Sequence, residues 1–219
     1  MTWQHPVQCD QKGKERTVNF VKHQEIRIIG GQWKRSKLAV ANQPGLRPTP
    51  DRVRETLFNW LGQDLTGKRC MDVFAGTGVL GFEAASRFAQ TVLLVEKNAV
   101  LVAQIQQLKD KLKASAVNVV QGDGIAALRR CLPGSLDLIF LDPPFDSNLL
   151  ETALPLAACA VSTNGSIYLE SSLRWSDDRL APIDLQLHRY LKARAVHAHV
   201  LISVHPDPFR VHSLRAANR

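Results

Sequence analysis

The stretch Leu138-Ile139-Phe140-Leu141-Asp142-Pro143-Pro144-Phe145 decides how the rest of this chain is read. Four apolar residues run into an acid, two prolines and an aromatic. A run of that length, bounded by turn residues, predicts a strand buried in a parallel sheet. Proline lacks a backbone N–H and fixes φ, so the strand stops at Pro143. Open α/β sheets bind ligands just beyond the carboxyl ends of their strands. Asp142 and Phe145 therefore stand at the mouth of a crevice, on a turn stiffened by Pro143 and Pro144. A carboxylate or nearby carbonyl there can accept a hydrogen bond from an amino group on a flat ring, and the aromatic can stack on that ring. Asp-Pro alone is an ordinary turn starter. The four residues together, after such a strand, point to a site.

From Lys68 onward the chain alternates strands and helices. Strands are predicted over 69–74, 91–96, 117–121, 138–141 and 165–170. Helices follow the glycine turn through about Phe88, then cover 99–112, 125–131 and 149–160, the last despite Pro155. This alternation makes a mostly parallel α/β sheet with helices on both faces, Rossmann-like in kind. Residues 185–191 and 195–204 read as an antiparallel edge pair. Ahead of this domain, 25–29 and 38–40 read as strands around Gly30-Gly31. A helix is expected from Pro50 to Leu61, with Thr49 as its cap and Asp51 in its first turn. Val53, Leu57, Phe58 and Leu61 form its apolar face, with Arg52, Arg54 and Glu55 elsewhere. The expected organisation is a flexible extension over 1–24, a basic hairpin and helix over 25–62, the sheet domain over 63–205 and a tail over 206–219.

Composition narrows the class. A chain of 219 residues with 45% hydrophobic and 22% charged residues is globular. No apolar run approaches bilayer length, and Met1 to Pro6 has no secretory h-region. Cys9, Cys70, Cys131 and Cys159 form no C-x-x-C pair, which fits a reduced cytoplasmic compartment and indicates neither a disulfide framework nor a zinc site. Net charge is +8, and the excess is concentrated early: residues 1–68 hold 12 Lys and Arg against 6 acids, while residues 69–219 hold 16 against 14. A basic region on a nearly neutral body suggests a nucleic-acid partner. Trp33, Lys34, Arg35 and Lys37 place an aromatic among cations, a composition suited to phosphates and unstacked bases. Its bland counterpart is a structural hairpin packed on the main domain.

Gly76-Thr77-Gly78-Val79-Leu80-Gly81 is a G-x-G-x-x-G turn between a strand and a helix. Glu96 ends the next strand about 20 residues on, where an acid binds ribose hydroxyls. Alone this suits NAD. Asp72 inside the preceding strand, Asp123 in Gly-Asp-Gly and Asp142 argue otherwise. Acids at four successive strand ends suit S-adenosylmethionine, which carries an ammonium and a sulfonium and no phosphate; a pyrophosphate would be repelled. The candidate cofactor crevice is Asp72, Phe74, Ala75, Gly76, Thr77, Gly78, Glu96, Lys97, Asp123, Gly124 and Asp142. Glu83 and Glu170 read as structural or peripheral. His197 and His199 share a strand face, yet without a third ligand they do not make a metal site.

Residues 28–38, the run Arg47-Pro48-Thr49-Pro50-Asp51-Arg52-Val53-Arg54-Glu55-Thr56-Leu57-Phe58-Asn59-Trp60-Leu61, residues 72–84 and Asp142-Pro143-Pro144-Phe145 together resemble the bacterial RsmD family, over about residues 25–205. These are S-adenosylmethionine-dependent 16S rRNA guanine-N2 methyltransferases of the small ribosomal subunit. The resemblance implies a class I methyltransferase fold, with Arg47, Thr49 and the following helix closing the cofactor pocket. The resemblance makes 16S rRNA or an assembling subunit the expected partner; the residues themselves point to catalysis by Asp142, Pro143, Pro144 and Phe145, to RNA contacts by the basic hairpin and Arg52, to no metal, and to a cytoplasmic monomer, since no sustained coiled-coil seam appears. Two departures stand out. Ser36 and Phe88 occupy positions where the family usually has glycine. The Asp-Pro-Pro-Phe chemistry would equally serve N6-adenine methylation of DNA or RNA, and a non-catalytic RNA-binding assembly factor also remains open.

Overall fold

The computed structural model describes residues 24–40, 49–144 and 147–204. Arg47, Phe145, most of the N-terminal extension and the C-terminal tail lie outside the described residues. An antiparallel pair, β1 (Gln24–Arg27) and β2 (Lys37–Val40), precedes helix α1 (Asp51–Leu61). The main unit follows as β3 (Arg69–Asp72), α2 (Val79–Ser86), β4 (Thr91–Glu96), α3 (Ala99–Leu112), β5 (Val117–Gln121), α4 (Gly124–Leu128), β6 (Leu136–Leu141), α5 (Leu149–Ala160) and β7 (Val161–Ser171). A short helix α6 (Asp177–Leu180), a 3-10 turn (Ala181–Ile183) and the hairpin β8 (Leu185–Ala193) and β9 (Val196–Ser203) complete it.

The seven-stranded sheet has the order β5-β4-β3-β6-β7-β9-β8. The β3, β4, β5, β6 and β7 pairings are parallel, and β9 joins β7 antiparallel. The expected parallel sheet with an antiparallel edge pair is the one observed, with strand ends shifted by a few residues. Strand order reverses between β3 and β6, and this switch point opens the crevice. Alternation along the central strands separates two cores. Cys70, Leu138, Phe140 and Tyr168 face α1, α2 and α3, whereas Met71, Val73, Ile139, Leu141, Ile167 and Leu169 face α4 and α5. Pro155 lacks an N–H for the Glu151 carbonyl but does not end α5.

The N-terminal unit is held to the sheet domain by buried charge. Arg54, expected away from the packed face of α1, is fully buried. Its Nη1 donates to Glu83 Oε1 at 2.5 Å and to the Arg27 carbonyl at 2.9 Å, and its Nε donates to the Thr49 carbonyl at 3.2 Å. Arg87 donates to the other Glu83 oxygen and lies over the Phe58 ring at 4.1 Å. The Ile29 N–H also donates to Glu83 Oε1, at 2.7 Å. Below this network the Gly30-Gly31 turn sits against the end of α2. Ser86 Oγ donates to the Gly30 carbonyl at 2.6 Å, and a Cβ on Gly31 would lie 1.9 Å from the Ser86 carbonyl oxygen.

Removing one member of a buried ion network leaves its partners charged and unpaired. Glu83→Gln should therefore destabilise the fold by roughly 3–5 kcal/mol, read as a loss in urea-unfolding free energy. A loss below about 1 kcal/mol would show that the two guanidiniums are satisfied without it.

Candidate active site

Three acids converge because of strand alternation. Asp72 shares its sheet face with Cys70, Asp142 with Phe140, and Glu170 with Tyr168. Leu141 pairs with Leu169, so Asp142 and Glu170 come side by side one residue beyond. Asp72 pairs opposite Phe140 on the other flank. All three carboxylates thus gather at the switch point on the face covered by α1 and α2.

Thr49, just ahead of α1, joins this cluster. Its hydroxyl does not cap the helix; Pro50 is the N-cap residue and no side-chain capping bond forms. Thr49 Oγ1 instead donates to Asp142 Oδ2 at 3.4 Å, and the hydroxyl also stabilises the Glu170 carboxylate. The expectation of a cap missed this because spacing along the chain cannot reveal a partner 93 residues away. Glu170 is 3% exposed, and Tyr168 Oη donates to its Oε1 at 2.7 Å. It stands beside Asp142, buried and hydrogen-bonded, which fits a structural residue and not a peripheral one. The Tyr168-x-Glu170 alternation carried that signal, but only the β6–β7 register connects it to Asp142.

Burial governs the electrostatics. Loss of water raises the pKa of Asp142 well above the carboxylate range, and the neighbouring Glu170 and Asp72 raise it further. Glu170 is raised by burial, opposed by the hydroxyls of Tyr168 and Thr49. Asp72 is pushed up to about 7, by burial first and by Glu96 second, against the main-chain N–H groups of Gly81 and Phe74. Its Oδ1 has no hydrogen-bond partner among the described residues. A buried acceptor without a donor fits a cationic, hydrogen-donating ligand and repels a phosphate.

The remaining crevice residues divide between wall and scaffold. Gly76 and Gly78 adopt φ of 54° and 77°, and the Gly76 N–H donates to Glu96 Oε2 at 2.8 Å. Glu96 Oε1 accepts from the Asn98 N–H at 2.8 Å. Ala75, Phe74 and Thr77 complete the turn, with Ala75 buried and the other two half-buried. Asp123 is exposed and caps α4, its Oδ1 accepting from the Ala126 N–H at 2.8 Å. Gly124 lets α4 approach β3, since a Cβ there would meet the Val73 carbonyl oxygen at 2.3 Å. Lys97 is exposed. Pro143 is buried and Pro144 exposed, and the Ser147 hydroxyl donates to the Pro144 carbonyl at 2.6 Å.

The basic loop lies elsewhere. Helix α2 leaves the glycine turn at the crevice and ends at Ser86, where the loop docks. Its 8 residues span roughly 12 Å. Trp33, expected as an exposed stacking platform, is half-buried and meets Phe82 edge-on at 6.4 Å between centroids. Its backbone N–H donates to Ser86 Oγ at 2.9 Å. Lys34 and Arg35 are exposed, and Lys37 pairs with Glu25 at 2.8 Å. Arg52 is exposed on the first turn of α1. On the far edge, His199 is buried rather than half-exposed and accepts from the Trp175 N–H at 3.1 Å. Among the described residues no group of three His, Cys, Asp or Glu side chains could hold a metal, and no helix is long and apolar enough to cross a membrane.

Sheet order, glycine turn and acid-lined switch point define the Rossmann-like class I methyltransferase fold. The family described as "Conserved hypothetical protein 95" matches residues 26–200. The chain is 40% identical over 168 residues to Ribosomal RNA small subunit methyltransferase D of Escherichia coli, covering 75% of this chain and 83% of that protein. It is 42% identical over 155 residues to the Haemophilus influenzae protein of the same name, covering 67% and 79%. The solved structure of "Putative methyltransferase yhhF" from Escherichia coli superposes with a TM-score of 0.72 at 38% identity, covering 82% of this chain and 98% of the other. The chain belongs to this family, the RsmD family.

The elevated pKa of Asp72 fixes a pH dependence. The folded protein keeps a proton that the unfolded chain releases near pH 4, so this group's contribution favours folding in acid. That contribution is lost as pH rises from about 4 to about 7, and is constant above. Asp72→Asn should shrink the difference in unfolding free energy between pH 5 and pH 8 by roughly 2–3 kcal/mol. Urea titrations at the two pH values measure it, and an unchanged difference would assign the titration to other groups.

Proposed function

We propose that the chain transfers a methyl group from S-adenosylmethionine to the exocyclic N2 of a guanine in 16S rRNA, guanine 966 by family resemblance. The observation that carries this reading is the Asp142 carboxyl. It stands on a two-proline turn at the switch point, bonded to Thr49 and flanked by Asp72 and Glu170. The relatives named Ribosomal RNA small subunit methyltransferase D support the substrate class.

The cofactor supplies an electrophilic methyl carbon on a sulfonium. When bound, the cofactor would be held by Asp72 at its cationic end, by Glu96 at its ribose and by Asp123 at its adenine amino group. Phe74, Ala75, Gly76, Thr77, Gly78 and Gly124 would wall the crevice, with buried Thr49 beside Asp142; Arg47 and Lys97 are carried as cofactor contacts from the family resemblance alone. The guanine amino group is a poor nucleophile because its lone pair is delocalised into the ring. Asp142 and a main-chain carbonyl of the Pro143-Pro144 turn accept its hydrogens, which directs the lone pair at the methyl carbon. As the N–C bond forms and the sulfonium S–C bond breaks, the electron pair would leave with sulfur as a neutral thioether and one amino proton would pass to Asp142. Glu170 and Asp72 raise the proton affinity of Asp142, which suits a base working near neutrality. The proline turn keeps the acceptors in place, so little reorganisation accompanies the reaction. Phe145 stacks on a base swung out of its helix or loop. The protein acts as a cytoplasmic monomer on the small ribosomal subunit or its assembly intermediate.

Asp142→Ala should lower kcat by roughly 100-fold or more while leaving cofactor affinity within a few-fold. Equal loss of both would make Asp142 a cofactor-binding residue. Labelled methyl transfer to unmethylated small subunits, naked 16S rRNA and unmethylated DNA, followed by digestion to nucleosides, tests the whole reading. N2-methylguanosine from a ribosomal substrate is expected. N6-methyladenine would overturn the target base, and cofactor binding without transfer to any substrate would favour an assembly factor.

A further inference from the structure

The hairpin of β8 and β9 carries a cationic face that the reading above leaves unused. Residues 185–204 contain no Asp or Glu, while Arg189, Lys192 and Arg194 fall within them. Tyr190 pairs with His199 and Lys192 with His197 across the hairpin, so these four share one sheet face. The Tyr190 and His197 rings lie 5.8 Å apart and are joined by a 2.7 Å hydrogen bond between Oη and Nδ1. The Arg174 guanidinium covers the Tyr190 ring at 4.7 Å. Arg174 and Lys192 both oppose a charge on His197. Arg194 forms the tip of the hairpin at φ 56°, a conformation that disfavours a side chain. Among the described residues Arg174, Lys192 and Arg194 enter no ion pair. Cations gathered around an aromatic stack without acids repel one another, and an anion relieves that repulsion.

The position of this face matters as much as its charge. His197 pairs with Ser171 and Ala198 with Glu170, so the tip stands at the sheet end that holds Asp142, with Tyr190, Lys192 and His197 on the opposite sheet face and the tip residue Arg194 between the two faces. From β6 to β8 are three strand spacings, roughly 14 Å. The loop of Lys34 and Arg35 docks at the other end of α2. We infer that Arg174, Lys192 and Arg194, with Tyr190, form the surface that receives the RNA strand flanking the target nucleotide. The inference rests on the reading of an RNA substrate. Charged residues also protect an edge strand from pairing, but that role needs neither the stacked aromatic nor a shared face with Arg174.

Filter binding of labelled 16S rRNA transcript, without cofactor and over a salt series, tests it. The triple variant R174Q/K192Q/R194Q should bind at least 10-fold more weakly near 0.1 M salt. Its slope of log K against log salt should be shallower by roughly 2. Lys192→Gln alone should reduce the slope by just under 1, which covers failure of the triple variant to fold. K34Q/R35Q should change affinity less than the triple variant. Unchanged affinity and slope in both hairpin variants overturns the inference. Methylation with such unchanged binding would leave the catalytic reading intact, whereas hairpin-dependent binding without methylation would sink that reading and keep this one.

Discussion

Glu83, buried between Arg54 and Arg87, is the interaction on which the working arrangement depends. Through one carboxylate it ties α1, α2 and the strand leading from β1 into a single body. Arg54 extends the tie to the Thr49 carbonyl, and the Thr49 hydroxyl reaches Asp142. The N-terminal unit therefore touches the site through buried charge rather than through apolar packing alone. Such networks are costly to form and more costly to break, so they specify one arrangement strongly.

Acids around the switch point give the site its chemical character. Asp72 and Glu170 are buried and Asp142 is half-buried, the three carboxylates oppose one another's charge, and the hydroxyls of Thr49 and Tyr168 offset part of that cost. All three carboxyls are consequently pushed upward, Asp72 to about 7. The surroundings that leave Asp72 Oδ1 without a donor also raise the proton affinity of Asp142. Binding preference and basicity thus share one physical origin in burial.

Charge is distributed differently outside. The crevice is acidic, while cations stand on the β8–β9 hairpin, on the loop at the foot of α2 and at Arg52. The total charge of +8 reports none of this geometry.

Much of the fold was legible in the chain itself. The apolar run before Asp142 could only be a buried strand, Pro143 had to end it, and Thr91–Glu96, Ala99–Leu112 and Val117–Gln121 fall where periodicity places them. Phe88, singled out where glycine is usual, does adopt φ 69° at the end of α2. These are local matters of period, turn chemistry and backbone sterics, which neighbouring residues determine. Tertiary structure alone decided that Thr49 leaves its helix cap for Asp142, that Arg54 turns inward, that Trp33 packs on Phe82 and that Glu170 stands beside Asp142. Each of those outcomes depends on strand register and helix docking between residues far apart in sequence. Hydrogen bonds and buried charges take the partner that space provides, and a linear pattern does not contain that partner.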